Sequence, residues 1–160
     1  MSETAITEAP PIDAERWFNT DQPLSLEMFR GKVVVLHAFQ MLCPGCVSQA
    51  VPQARRLHEI AKNLDDLVVL GIHTVFEHHA AMTPVSLEAF LHEYRLTFPV
   101  AVDRPSSDGP IPRTMAAYGF KGTPSTVVID REGHITRHTF GAEDDLVLGL
   151  VLGSLLSARP

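Results

Sequence analysis

The feature that most constrains the fold is a short apolar run followed by two cysteines and then by a helical pattern. Residues Val33–Phe39 begin with three valines and are mostly apolar, which is typical of a strand buried on both faces of a sheet. Cys43-Pro44-Gly45-Cys46 comes next, and over residues 44–62 apolar side chains recur at helical spacing. We therefore predict a central parallel strand that leads into a helix, with both cysteines at the junction.

The rest of the chain alternates between strand and helix patterns. Pro52 lies inside the first helical pattern and should kink it, because proline lacks a backbone N–H. Further strands are predicted over residues 67–72, 98–102, 125–130 and 134–140, and further helices over residues 86–94, 112–118 and 144–156. This order predicts a single α/β domain over residues 1–160, with a central mixed sheet flanked by helices.

The N-terminal part carries weaker patterns. Residues 1–12, with Ala9-Pro10-Pro11 near their end, are predicted to form a loose leader. Residues 16–19 and 24–26 flank the turn-like residues 21–23, so we predict an N-terminal β-hairpin there.

Composition excludes several classes of partner. The net charge is −6 at pH 7 and both signs are mixed along the chain, which argues against nucleic acid or an anionic membrane surface as the main partner. Residues 1–13 lack the basic and apolar regions of a secretory signal, and no apolar run reaches the roughly 18 residues of a spanning helix. We expect a cytoplasmic protein with no membrane partner.

The two cysteines point to thiol chemistry. A disulfide between Cys43 and Cys46 would close too short a loop to stabilise the fold much, so a structural bridge is a poor explanation for the pair. A helix N-terminus favours a thiolate, and a second thiol one turn away can close a disulfide with the first. Structural zinc usually takes four ligands, and the chain has no second cysteine pair. We therefore predict redox chemistry that needs no metal and no cofactor.

Several segments together resemble the TlpA-like branch of the thioredoxin superfamily, which includes the ResA-type reductases. The resemblance rests on residues 26–36, the Cys43 motif, residues 122–130 and Gly133. It implies a thioredoxin-like fold and an activity as a thiol–disulfide oxidoreductase on protein or small-molecule thiols and disulfides. It also implies that Cys43 attacks, that Cys46 resolves, and that Thr123 and a cis-Pro124 bind the substrate.

The chain departs from that family at positions around the motif. Leu42 stands where an aromatic residue is common, and Gln40-Met41 replaces the usual small residues. His37 occupies the position of a buried aspartate in thioredoxins, six residues before the first cysteine. We leave two interpretations of His37 open: it exchanges a proton with Cys46, or it is a neutral core histidine bonded to a backbone carbonyl.

Two other functions compete. A peroxiredoxin-like peroxidase would use Cys46, but Phe39 stands where that family has a proline, and Arg113 is the nearest substitute for its arginine. A thioredoxin-fold copper chaperone would add a distant histidine such as His73 or His138 to the two cysteines.

A histidine cluster lies between the second strand and the second helix. The cluster consists of His73, His78 and His79. Two interpretations are open: the cluster is a metal site or a lid at the active site, or it is an ordinary solvated loop.

Overall fold

The computed structural model describes residues 6–158. The strands are β1 (Thr7–Glu8), β2 (Ala14–Phe18), β3 (Val33–Phe39), β4 (Leu67–His73), β5 (Val100–Asp103), β6 (Ser125–Ile129) and β7 (His134–Phe140). The α-helices are α1 (Val51–Ala61), α2 (Pro84–Glu93), α3 (Arg113–Tyr118) and α4 (Asp145–Ser157). A short 3-10 helix covers Leu26–Phe29, and a π-helical turn covers Cys46–Ala50.

These strands form one mixed sheet with β3 at its centre. The order is β1-β7-β6-β3-β4-β5-β2. Strands β3, β4 and β5 are parallel, whereas β6 runs antiparallel to β3, and β7, β1 and β2 pair antiparallel with their neighbours. All seven residues of β3 are buried, which explains the unbroken apolar run seen in the sequence.

Each face of the sheet carries its own core. Side chains of α1, α2 and α4 pack on one face, and Cys46 belongs to that cluster. The other face is covered by α3 and by N-terminal residues such as Trp17 and Leu26. The predicted mixed sheet flanked by helices is therefore confirmed.

The predicted N-terminal hairpin is wrong. Residues 14–18 form β2, but β2 pairs with β5 rather than with residues 24–26, and the second half of the expected hairpin leads into the 3-10 helix. The edge of β5 gives β2 partners for its backbone and an apolar surface for Trp17, which a local hairpin would lack.

The expected loose leader also differs from the structure over residues 7–12. Strand β1 pairs with β7, Ala9 is buried and donates its N–H to the Gly133 carbonyl (2.9 Å), and the Tyr118 hydroxyl donates to the Pro10 carbonyl (2.8 Å). These contacts hold the segment to the sheet. Residues 1–5 of the expected leader lie outside the described part.

The first helix begins with an irregular turn. The Val47 N–H donates to the Cys43 carbonyl (3.0 Å), and the π-helical turn then runs up to α1, in whose first turn Pro52 lies. The distortion lies just before Pro52. Proline has no backbone N–H, so it cannot donate the helical hydrogen bond to the carbonyl four residues earlier. Among residues 6–158, no helix is both long and apolar enough to cross a bilayer.

Candidate active site

The two cysteines lie at the junction between β3 and the first helical turn, and they differ sharply in exposure. Cys43 is partly exposed, whereas Cys46 has no exposed surface, and both are free thiols. The Cys46 N–H donates to the Cys43 sulfur (3.4 Å), and the Cys43 thiol donates to the Thr123 carbonyl (3.5 Å). One sulfur therefore faces solvent and the other lies behind it in the core.

The loop before β6 forms the other wall of the site. The peptide bond between Thr123 and Pro124 is cis. A Cβ placed on Gly45 would lie 3.4 Å from the Pro124 ring, so the turn between the cysteines packs on that ring. The Gly141 N–H donates to the Pro124 carbonyl (2.8 Å), which ties the loop to the end of β7. The structure thus brings Thr123 and Pro124 together with the cysteine pair.

Burial dominates the acidity of the inner thiol. Desolvation raises the pKa of Cys46 to about 12, the neighbouring Cys43 raises it as well, and hydrogen bonds from the Gln40 backbone and the Thr123 side chain lower it. Cys46 is therefore a protonated thiol near neutral pH. It must lose its proton before it can act as a nucleophile.

His37 lies inside the core next to the centre of the sheet. Its side chain is 2% exposed, and neither ring nitrogen has a hydrogen-bond partner. Burial lowers the pKa of His37 to about 4, and the Glu143 carboxylate opposes that shift. The histidine is thus neutral at physiological pH, but the backbone hydrogen bond that one interpretation required is absent.

Two further buried polar residues, Gln40 and His73, hold the segment before Cys43. The sequence marks Gln40 only as a departure from the family pattern and suggests His73 only as a metal ligand or part of a lid, so neither of these contacts was expected. The Gln40 amide donates to the Thr123 hydroxyl (3.2 Å) and accepts from the Phe76 N–H (3.2 Å). The His73 Nε2 accepts from the Met41 N–H (3.1 Å), and burial lowers the pKa of His73 to about 4. One feature of the sequence could have indicated these two residues: each is a polar residue at the carboxyl end of an apolar strand pattern.

The other predicted histidines are separate from the cysteines. His78 and His79 are exposed, and His79 contacts the Pro110 carbonyl (3.2 Å). His138 packs against the Phe120 ring. Within residues 6–158, three candidate metal ligands come within 4.8 Å of one another at the β6–β7 turn, Asp130, Glu132 and His134, and no such group includes a cysteine.

Arg113 does not support the peroxidase alternative. Its guanidinium contacts the Asp13 carboxylate (3.4 Å), and the side chain is more than half exposed. The guanidinium of Arg113 is therefore paired with Asp13 at the start of α3.

Comparison with known proteins supports the same fold and chemistry. The crystal structure of the thioredoxin-like superfamily protein SPOA0173 matches with a TM-score of 0.91 and 52% identity, over 96% of this chain and 99% of that one. The crystal structure of a thiol-disulfide isomerase from Corynebacterium glutamicum matches with a TM-score of 0.89 and 50% identity, over 94% of this chain and 98% of that one.

A longer relative contains a similar region. Protein DipZ of Mycobacterium bovis is 26% identical over 147 residues, which are 90% of this chain and 20% of DipZ, so the chain spans about a fifth of that protein's length. The sequence profile of the AhpC/TSA family matches residues 7–138. The chain therefore belongs to the AhpC/TSA family, and the prediction of an oxidoreductase with the thioredoxin fold is confirmed.

Proposed function

We propose that this protein is a thiol–disulfide oxidoreductase in which Cys43 attacks the substrate and Cys46 resolves the mixed disulfide. The observation that carries the proposal is the asymmetry of the pair: a partly exposed sulfur stands one turn from a fully buried one. A substrate in solution can reach Cys43 but not Cys46. The 50% identical thiol-disulfide isomerase supports the same chemistry.

The reaction has two exchange steps. The Cys43 thiolate attacks a substrate disulfide, forms a mixed disulfide and releases the first substrate thiolate. Cys46 then loses its proton and attacks the Cys43 sulfur, which closes the internal disulfide and releases the second substrate thiolate. Two electrons pass to the substrate, and the same steps in reverse oxidise a dithiol.

We propose His37 as the group that exchanges the proton of Cys46. Cys46 belongs to the core on the side of the sheet covered by α1 and α4, and His37 alternates along β3 with Val35 and Phe39, which belong to the same core. Neither ring nitrogen of His37 has a hydrogen-bond partner, so both are available for a proton. A negative charge on the Cys46 sulfur, on the same side of the sheet, would favour protonation of the ring, which burial otherwise opposes. His37 would then hold the proton while Cys46 attacks.

Thr123 and Pro124 are proposed to bind the substrate next to the attacking sulfur. The Thr123 carbonyl lies 3.5 Å from the Cys43 sulfur, and the Pro124 ring packs against the turn between the cysteines. Leu42 and Phe140 are each more than half exposed, and Phe140 packs against Gly122 in the same loop. This apolar rim suits a protein substrate that presents an apolar side chain near its cysteine.

The cytoplasmic location stays a prediction.

Trapping with single-cysteine variants tests the roles of the two cysteines. Reduced Cys46→Ser and Cys43→Ser are each mixed with insulin, whose disulfides are accessible, and quenched with acid. We expect a stable mixed disulfide on Cys43 in the first variant and very little in the second. A mixed disulfide that accumulates on Cys46 instead would reverse the assignment.

Hydrogen peroxide separates the proposal from the peroxidase alternative. A peroxidase must present Cys46 as a reactive thiolate, and the burial that raises the pKa of Cys46 to about 12 opposes this. Rapid oxidation of Cys46 to a sulfenic acid in Cys43→Ser would therefore favour the peroxidase.

A further inference from the structure

A buried glutamine joins the end of β3 to the loop that carries Thr123. Gln40 follows β3 directly, is 1% exposed and lies three residues before Cys43. Its side-chain amide contacts the Thr123 hydroxyl (3.2 Å), before β6, and the backbone N–H of Phe76 (3.2 Å), after β4. One side chain therefore contacts segments next to both of the strands that flank β3.

The strand pairing explains why a side chain makes this link. Strands β3 and β6 pair antiparallel up to Ala38 and Ser125. The same register, continued by two residues on each strand, would place Gln40 opposite Thr123. Instead of pairing there, the carbonyls of Gln40 and Thr123 accept from the N–H (3.1 Å) and the thiol (3.5 Å) of Cys43. The contact between the amide and the hydroxyl thus holds the two strand ends together at the level of Cys43.

The contact with Phe76 fixes which end of the amide faces Thr123. A backbone N–H can only donate, so it faces the oxygen of the Gln40 side chain. The amide nitrogen then donates to the Thr123 hydroxyl oxygen. Because both ends of the amide are bonded in the core, the amide cannot turn away from Thr123 without breaking a buried hydrogen bond.

This link matters because the loop of residues 121–124, which we call the Thr123 loop, forms a wall beside the exposed sulfur. The Thr123 carbonyl lies 3.5 Å from the Cys43 sulfur, and Gly122 packs against the exposed Phe140 ring. A loop that is already held in place loses little freedom when a ligand binds, and this favours binding. A small disulfide needs only the sulfur, whereas a peptide must also fit against the wall.

We infer that Gln40 is a positioning residue that holds the Thr123 loop beside the Cys43 sulfur for the first exchange with a peptide substrate. The inference rests on the proposed function, in which Cys43 attacks and Thr123 and Pro124 bind the substrate. Gln40 is buried and acts through Thr123. Its loss should slow the attack on a peptide disulfide and leave the attack on a small disulfide unchanged.

Two mixed disulfides of thionitrobenzoate test this step. One joins thionitrobenzoate to the cysteine of a short peptide with leucine on both sides (the peptide conjugate), and the other joins it to a single capped cysteine (the cysteine conjugate). In the Cys46→Ser background, the Cys43 thiolate attacks the cysteine sulfur of the conjugate. The S–S bond then breaks, and the coloured thionitrobenzoate leaves with the electron pair. The mixed disulfide on Cys43 persists because no second thiol can resolve it.

The ratio of the two second-order rate constants is the measured quantity, because both conjugates release the same leaving group. At neutral pH we expect Gln40→Met to slow the peptide conjugate about fivefold and the cysteine conjugate less than about twofold, since a hydrogen bond between neutral groups is worth about 1 kcal/mol and about 1.4 kcal/mol is a factor of ten. Methionine keeps the size of the side chain but cannot donate. A general loosening of the fold would not change the ratio.

Variants of Thr123 test whether Gln40 acts through this residue. Thr123→Val removes the acceptor and should slow the peptide conjugate by a similar factor. The double variant with Gln40→Met should be no slower than either single variant, because both changes break the same contact. Thr123→Ser retains a hydroxyl and should stay within about twofold of the Cys46→Ser parent.

Gln53→Met is the matched control. Gln53 is also buried and also donates from its amide, but its partners are Glu143 and Asp145 at the start of α4. It should leave the ratio unchanged. If Gln40→Met leaves the ratio at the parent's value, or if its effect multiplies with that of Thr123→Val, the positioning role is overturned.

The outcome also separates this inference from the proposed function. If the Cys46→Ser parent prefers the peptide conjugate and Gln40→Met keeps that preference, only the inference fails. If the parent attacks both conjugates at the same rate, the proposed binding of substrate by Thr123 and Pro124 fails with it. If the parent releases no thionitrobenzoate from either conjugate, the attacking role of Cys43 fails as well.

Discussion

The two sulfurs of the pair occupy different environments although only two residues separate them. Cys43 is partly exposed, whereas burial raises the pKa of Cys46 to about 12. Because only the thiolate reacts, we expect Cys46 in Cys43→Ser to be alkylated by iodoacetamide at least about a hundredfold more slowly at neutral pH than Cys43 in Cys46→Ser. The Cys46 rate should keep rising beyond pH 10.

Rates measured by mass spectrometry over a range of pH check this prediction. The same variants unfolded in guanidinium chloride are the control, since their rates should converge once burial is lost. Equal rates in the folded variants would show that Cys46 is accessible and would remove the basis for assigning it the resolving role.

His37 makes the stability of the fold depend on pH, because its imidazole is buried without hydrogen-bond partners. An unfolded chain's histidine titrates near 6.5, whereas the folded-state pKa of His37 is about 4, so the unfolded chain binds more protons between these values. Stability is therefore fully present above about pH 6.5 and is lost as the pH falls toward 4. Between pH 7 and 4.5 this one residue should account for about 2 kcal/mol of lost stability.

His37→Leu tests both consequences. The variant should be about 1–3 kcal/mol more stable at pH 7, because it removes an unpaired buried polar group of similar size, and it should lose about 2 kcal/mol less on acidification. Urea unfolding at pH 7 and pH 4.5 measures both quantities. An unchanged pH dependence would show that His37 is solvated or paired in solution. The acid sensitivity due to His73, whose pKa burial also lowers to about 4, should persist.

At the scale of elements, Asp103 joins the end of β5 to α3. Its carboxylate accepts from the Thr114 and Met115 N–H groups (2.8 and 3.0 Å) and from the Thr74 hydroxyl (2.9 Å), and the side chain is buried. Asp103→Ala leaves three donors without a partner in the core, so we expect a loss of about 2–4 kcal/mol in the free energy of unfolding.

Chemical unfolding measures that loss, with Asp108→Ala as the control. Asp108 is exposed in the following loop, and its replacement should change stability by less than about 0.5 kcal/mol. A similarly small effect for Asp103→Ala would mean that water or a rearranged loop satisfies the three donors.

The elements that the sequence could predict are those with strong local patterns. The run of apolar residues in β3 and the helical spacing of α1 each reflect neighbours close in the chain, and both are found where expected. The pairing of β2 with β5 joins segments more than 80 residues apart, and no local pattern specifies such a partner. A turn-like sequence around Pro23 therefore suggested a hairpin that the molecule does not form.

At the scale of the molecule, the fold brings together candidate site residues from distant parts of the chain. The sequence identified Cys43 and Cys46 from their spacing, and the resemblance indicated Thr123 and Pro124, which the structure places beside them. The contacts of Gln40 with Thr123 and Phe76 could not be predicted, because they join segments that lie 83 and 36 residues apart in the chain.

The whole molecule has two cysteines, so its redox states can be counted directly. The central claim is that these two thiols form one internal two-electron couple. The most direct test is to equilibrate the protein in glutathione buffers of graded potential and to quench the exchange with acid. The free thiols are then alkylated, and the mass of the intact chain is measured by mass spectrometry. The account predicts two dominant species, a monomer with both thiols alkylated and a monomer with neither alkylated, which interconvert as a two-electron couple. A dominant species that carries one alkylated thiol and one glutathione, or a disulfide-linked dimer, would contradict it.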